Sequence, residues 1–299
     1  MGTFNGEKYI REQLDSIASQ THQNWKLVIS DDGSSDRTVE IVKNWAIEVG
    51  VERVEFRSGP QKGFVQNFLS MACDSSLKAD FYAFCDQDDV WKRDKLSIAL
   101  NYMTPLGSEN KASLYCGRTE YVNERLEMLG NSPLYLKPPD FKNALVQSIA
   151  GGNTMVFNTP LKHALECIGV VQTISHDWWL YQLACGMSGN VYYDPQPLIL
   201  YRQHQGSLVG RNTGFAAGLK RLRMVFNGEL RRYTDQNIES LERAEHFLDN
   251  HNKRQLHDFK SLRFSSFFGR FFKFLRLGIY RQTFRGQVAL TLFALTNKL

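Results

Sequence analysis

From Gly6 to Cys85 short apolar runs alternate with segments of helical periodicity, and this alternation restricts the fold more than any other feature of the chain. Ile10, Leu14 and Ile17 recur at helical spacing between Gly6 and Ala18. The polar run Gln20 to Asn24 ends that helix and leads into Lys26-Leu-Val-Ile-Ser30, a short buried strand. Asp31-Asp-Gly-Ser-Ser-Asp36 reads as a turn, with Asp36 placed to cap a helix from Arg37 to Ala46. A strand over 53–57, a Gly59-Pro60 turn, a helix over 63–73 and a strand over 80–85 continue the rhythm. Such a β/α repeat predicts a mainly parallel sheet flanked by helices, whose ligands bind beyond the carboxyl ends of the strands. Two acidic clusters, Asp31/Asp32 and Asp86/Asp88/Asp89, each follow a predicted strand and so belong on one rim. Met1-Gly-Thr-Phe-Asn-Gly6 has the character of a strand-to-helix loop, and the strand expected ahead of it is missing.

Past Pro105 the pattern loosens into strands over 112–116, 154–157, 190–193 and 198–202 and helices over 140–148, 161–167 and 177–187, a mixed continuation of the same sheet. Beyond Asn212 only helical patterns remain, which divides the chain into a sheet domain over 1–211 and a helical extension over 212–299. Lys260, Arg263, Arg270, Lys273, Arg276, Arg281, Arg285 and Lys298 fall in a tail with no acidic residue, interleaved with Phe264, Phe267, Phe268, Phe271, Phe272 and Phe274. That amphipathic tail suits a membrane surface, and equally a helical pair packed on protein. A net charge of +5 over 299 residues is too mild to point to nucleic acid. Five cysteines without a C-x-x-C pair fit free thiols in a reducing, cytoplasmic setting. No signal-like segment opens the chain, and the apolar run over 288–295 is far below the roughly 18 to 20 residues that span a bilayer.

Phe81-Tyr-Ala-Phe-Cys-Asp-Gln-Asp-Asp-Val-Trp91 carries the most chemistry, because an apolar strand delivers three carboxylates within four positions. Their mutual repulsion is relieved by a divalent cation, and an oxygen-only donor set suits Mg²⁺ or Mn²⁺ with nucleotide phosphates completing the shell. The plain alternative is a solvated acidic turn ahead of a helix, which needs one Asp rather than three. Asp32 either serves the turn alone or accepts a hydrogen from a pyrimidine imide. In Ser175-His-Asp-Trp-Trp-Leu180, Asp177 is placed to act as a general base beside two indoles, Trp178 and Trp179, offered to substrate. Helix capping and core packing explain the same residues equally well. Arg202 and His204, in Tyr201-Arg-Gln-His204, are placed for an anion such as a diphosphate. Gly151 and Gly152 allow either close approach of backbone to a ligand or a turn of positive φ.

These motifs, in this order, make the chain similar to the family 2 glycosyltransferases over Gly2 to about Gly210. Thr3-Phe-Asn-Gly-Glu-Lys-Tyr-Ile10, Gln20-Thr21 and Asp31-Asp-Gly-Ser-Ser-Asp36 resemble the family's opening, and Phe84-Cys-Asp-Gln-Asp-Asp-Val-Trp91 its D-x-D element. His176-Asp-Trp-Trp179 with Tyr201-Arg-Gln-His204 resembles a bacterial rhamnosyltransferase-like subgroup of cell-surface polysaccharide synthesis. The resemblance implies a GT-A, Rossmann-like fold and inverting transfer from a dTDP- or UDP-sugar to a glycan or lipid-linked acceptor, with Mn²⁺ or Mg²⁺ as cofactor. It implies that Thr3 and Asn5 lie beside the nucleotide, that Asp32 binds the base, and that Asp86 lies near the ribose and donor sugar. It assigns Asp88 to the metal, Asp177 to the catalytic base, Arg202 or His204 to the diphosphate, and Gly151 and Gly152 to the donor sugar or acceptor. A homo-oligomer and peripheral attachment at the inner face of the plasma membrane are compatible with it. Competing readings are a nucleotidyltransferase of similar fold and a non-catalytic membrane-surface binding protein.

Overall fold

The computed structural model of the chain describes residues 1–104, 111–204 and 229–299, and the expected boundary at 211/212 lies outside them. Two compact units form: one from Met1–Leu134, Ala150–Val170 and the described part of Tyr192–Leu208, the other from Tyr135–Ile149, Val171–Val191 and the described part of Val209–Leu299. The second unit therefore draws two segments out of the first 211 residues.

In the first unit, β1 (Gly2–Thr3), β2 (Leu27–Asp31) and β3 (Val54–Ser58) pair in parallel in the order β1-β2-β3. Gly2–Thr3 is in register with Ser30 and Asp31. The Met1 amine donates to Val28 O at 2.7 Å, and Ser30 N–H returns a bond to Met1 O at 2.9 Å. Helix α1 (Ile10–Ala18) begins later than periodicity suggested, because Gly6 to Tyr9 form a turn in which Gly6 O accepts from Tyr9 and Ile10 N–H. Its Ile10, Leu14 and Ile17 bury against Leu27, Ile29, Val42 and Trp45, the apolar stripe meeting the sheet that its spacing requires. The helix expected from Arg37 begins at Thr38, with Arg37 in the cap position, and the Asp36 carboxylate accepts from Thr38 N–H at 3.0 Å one residue earlier than a cap.

A second sheet runs β10-β6-β9-β4, with β4 Phe81–Ala83, β6 Ser113–Gly117, β9 Val156–Asn158 and β10 Asn190–Asp194, and β9 is antiparallel to both β4 and β6. A third runs β5-β11-β7-β8, with β5 Val90–Trp91, β7 Glu120–Val122, β8 Met128–Asn131 and β11 Ile199–Arg202. Parallel pairing joins β1, β2 and β3, and β7 with β11. The β7–β8 connection is too short for a parallel crossover, so those two strands close as a hairpin. All five cysteines are free thiols.

In the second unit the helix His176–Gly186 carries Trp179, Leu180, Tyr181 and Leu183 into a core with no solvent access. Helices Glu229–Arg243, Asn250–Ser261, Phe267–Leu277 and Phe284–Leu295 complete it. Their starts are legible in the sequence: Asp249 accepts from His251 and Asn252 N–H, Ser266 from Gly269 N–H, and Thr283 from Gly286 N–H.

Candidate active site

The carboxyl ends of β1, β2 and β4 bring the first acidic cluster and its supports together. Asp31 is buried and organises the turn that follows β2, accepting from Thr3 Oγ1 at 2.8 Å, Ser34 N–H at 2.8 Å and Ser34 Oγ at 2.6 Å. Thr3 is itself buried, so its hydroxyl fixes Asp31 in place. Asn5 has φ +46°, and its Oδ1 accepts from Ser35 N–H at 2.8 Å while its own N–H donates to Ser34 Oγ at 2.9 Å. Thr3 is thus sealed behind the turn, while exposed Asn5 braces Ser34 and Ser35 from the surface. Asp32 accepts from Gln61 N–H at 2.6 Å and Gly63 N–H at 2.8 Å. An ionised carboxylate has about four acceptor positions, and half-buried Asp32 uses two of them on these backbone groups.

One residue that sequence reasoning passed over locks this loop to the second cluster. The Gln87 amide pairs with the backbone of Phe4, accepting its N–H at 2.9 Å and donating to its carbonyl at 2.8 Å. A Cβ at Gly6 would lie 2.3 Å from Gln87 Oε1, so this pairing requires glycine there. A polar residue between two aspartates gave no signal beyond that of a spacer.

The end of β4 sorts its three carboxylates into different environments. Asp89 is fully buried, and its Oδ2 accepts from Asn153 Nδ2 at 2.5 Å. Burial first, then the nearby charges of Asp86 and Asp88, push its carboxyl well above the usual range. Asn153 sits in the 3₁₀ turn Gly152–Thr154, and a Cβ at Gly151 would stand 2.8 Å from Asn153 Oδ1. Gly151 has φ −78°, so close approach and not a left-handed turn explains the glycine. Asp86 and Asp88 remain half-buried at the surface of the cluster. Asp88 Oδ2 lies 2.8 Å from His204 Nε2, joining residues 116 positions apart.

Arg202 corrects an expectation. Its side chain has no exposed surface: the guanidinium donates from Nε to Asp88 O at 3.0 Å and from Nη1 to Glu124 O at 2.5 Å, and pairs through Nη2 with Glu12. The Tyr9 ring lies 4.5 Å from the guanidinium carbon and 5.0 Å from the His204 ring. Arg202 therefore holds the Asp88 backbone from inside, whereas His204 meets the Asp88 carboxylate with its side chain. Its planar fork suits three simultaneous acceptors.

Beneath the cluster Lys95 is 1 % exposed, with Nζ 3.7 Å over the Trp91 ring and without a hydrogen-bond partner among the described residues. Burial pulls its ammonium down to about 8.

In the second unit Asp177 stands half-exposed in the first turn of its helix, its Oδ1 2.6 Å from Trp178 N. A carboxylate there is favoured by the helix dipole. Neighbouring His176 is buried, and burial draws its imidazole down to about 4, partly offset by Asp177. Trp178 is half-buried, with Nε1 donating to Ala144 O at 2.7 Å. Trp179 has no solvent access, so the substrate contact expected of it gives way to core packing.

Asp88 and His204 bring one carboxylate and one imidazole together, donors of a kind that Mn²⁺ accepts. No cluster of three or more metal-ligating side chains exists among the described residues.

Residues 1–163 match the model of glycosyl transferase family 2. The dTDP-rhamnosyl transferase RfbG of Shigella flexneri is 30% identical over 237 residues, covering 76% of this chain and 79% of that protein. Among solved structures, S. aureus TarS 1-349 in complex with UDP-GlcNAc superposes with a TM-score of 0.56 at 13% identity, over 99% of this chain and 86% of that one. The mannosyltransferase PcManGT from Pyrobaculum calidifontis, in complex with GDP-Man and Mn²⁺, gives 0.50 at 14% identity, over 99% and 84%. Those two likenesses establish the GT-A fold. With the family match over more than half its length, the order of its acidic motifs and a relative aligned along most of both chains, the chain belongs to glycosyl transferase family 2.

Proposed function

We propose that this glycosyltransferase moves rhamnose from dTDP-rhamnose to a hydroxyl of a growing cell-surface polysaccharide or lipid-linked glycan, with inversion at the anomeric carbon. The observation that carries the reading is the pairing of Asp88 with His204 at the carboxyl edge of β4, on a loop clamped by Arg202. Support for the donor comes from the Shigella flexneri relative, a dTDP-rhamnosyl transferase; a UDP-sugar is the second candidate.

In this reading Asp32 takes the base of the nucleotide, and Thr3 and Asn5 keep its loop in shape. Asp86 faces the ribose and donor sugar, and Gly151 and Gly152 border the sugar or the acceptor, with Trp178 on the substrate side. Asp88 and His204 would hold Mn²⁺ or Mg²⁺, which when bound supplies positive charge against the departing diphosphate; the Mn²⁺ in PcManGT supports this assignment. The acceptor oxygen attacks the anomeric carbon as the C–O bond to the diphosphate breaks, and Asp177 takes the hydroxyl proton. A single displacement inverts the configuration.

The test is nucleoside-diphosphate release from dTDP-, UDP- and GDP-sugars with Mn²⁺, in wild type and Asp177→Asn. Release of dTDP from dTDP-rhamnose, with at least a hundredfold loss in the Asn variant and unchanged donor binding, supports the proposal. Release of pyrophosphate would assign the chain to nucleotidyl transfer, and full turnover by Asp177→Asn would remove the base from Asp177.

A further inference from the structure

The helix Phe267–Leu277 is two-sided in a way its own unit does not use. Phe274 and Leu277 are buried, and the helix packs against Asn250–Ser261 and Phe284–Leu295. Phe267, Phe268, Phe271, Phe272 and Leu275 are exposed and fall within about 140° of arc at the helical repeat. Phe268 is 73 % and Phe272 67 % open to solvent, and Phe264 in the preceding turn is 81 % open. The next helix repeats the motif, with Phe284, Val288 and Leu292 exposed at successive fourth positions.

The cations around these residues divide into two groups. Arg263 pairs with Asp235, Arg270 donates to the carbonyls of Leu262, Ser265 and Leu295, and Arg281 to that of Val146. These three are turned inward. Lys273, Arg276, Arg285 and Lys298 are exposed, Arg276 within 3.5 Å of Asp258 and Lys273 donating to Ser261 Oγ at 3.1 Å, and from Lys260 to Leu299 the sequence has no acidic residue. No helix among the described residues is long and apolar enough to cross a membrane.

We infer that this aromatic and basic face docks on a bilayer surface rich in anionic phospholipid, the two helices lying in the plane of the interface. Phenylalanine rings enter the boundary between headgroups and acyl chains while the lysine and arginine heads meet the phosphates. Charge selects this occupant over a second copy of the chain, because self-pairing would bring four exposed cations of each copy together against the single carboxylate, Asp258, that pairs with Arg276.

Full-length protein is to be sedimented with vesicles of phosphatidylcholine alone and with vesicles containing phosphatidylglycerol, at low and high salt. The inference expects at least tenfold stronger partitioning onto the anionic vesicles, weakened by salt. Phe268→Ser/Phe272→Ser, at positions already in water, loses at least tenfold with unchanged thermal unfolding. Lys273→Gln/Arg276→Gln loses the preference for anionic lipid. Partitioning onto neither vesicle overturns the inference, as does equal partitioning onto both. Concentration-dependent self-association abolished by the phenylalanine pair, without vesicle binding, would assign the face to a second copy.

Discussion

Replacing Arg202 with Met separates a clamp from a phosphate ligand. Methionine keeps much of the buried volume and removes donors to Asp88 O and Glu124 O, together with the pairing to Glu12. The Glu12 side chain is 51 % exposed and returns to water, so its loss counts for little. Two carbonyls facing a guanidinium without solvent access lose their partner at about 1–3 kcal/mol each, or about 2–6 kcal/mol together. Urea denaturation followed by circular dichroism would read that loss. Calorimetry should then show weakened Mn²⁺ binding, because the backbone carrying Asp88 is no longer fixed, while binding of dTDP without metal stays within a factor of about 3 of wild type. A variant within 1 kcal/mol of wild-type stability that has lost metal-free dTDP binding would refute the reasoning, since only an arginine touching phosphate behaves in that manner.

Three further outcomes follow from neighbouring contacts. Gly151→Ala crowds Asn153 Oδ1 at 2.8 Å and should loosen the Asn153–Asp89 bond, destabilising the fold by about 1–3 kcal/mol in urea denaturation; an unchanged midpoint would refute it. Lys95 has its ammonium lowered by burial from 10.5 to about 8, so between those values the unfolded chain binds the extra proton and stability rises with pH. Between pH 7.5 and 10 wild type should gain about 2 kcal/mol over Lys95→Met, and a pH-independent difference would contradict the burial argument. Gln87→Ala frees the backbone of Phe4 and should raise the KM for the nucleotide-sugar more than it lowers kcat, checked by steady-state release of nucleoside diphosphate.

The β/α order up to Cys85 was legible because each apolar run is bounded by turn formers and each helix carries its own stripe, as with Ile10, Leu14 and Ile17 over the first sheet. Val90–Trp91, Glu120–Val122 and Met128–Asn131 escaped because strands of two to four residues hold no period, and Met128 and Leu129 are exposed. The helix expected over 140–148 shortens to Phe141–Ala144, beyond which Val146 N–H makes the tighter, 3₁₀-type bond to Asn143 O. At the site, sequence could place acidic residues at strand ends from local pattern alone. It could not reveal that Glu12 waits for Arg202 from 190 positions away, nor that Gln87 spends its amide on Phe4, because both roles arise only when distant loops meet. Trp178 and Trp179 look alike in sequence and differ in the structure by which side of the helix they occupy: one is half-buried and the other sealed in.

The central claim, that the carboxylate edge of β4 takes an activated sugar through a divalent cation, is tested most directly by calorimetric titration of dTDP-rhamnose into wild type and Asp88→Asn, with and without Mn²⁺. The account predicts that Mn²⁺ tightens binding at least tenfold in wild type and has no effect on the variant. Equal affinity for all four combinations would contradict it.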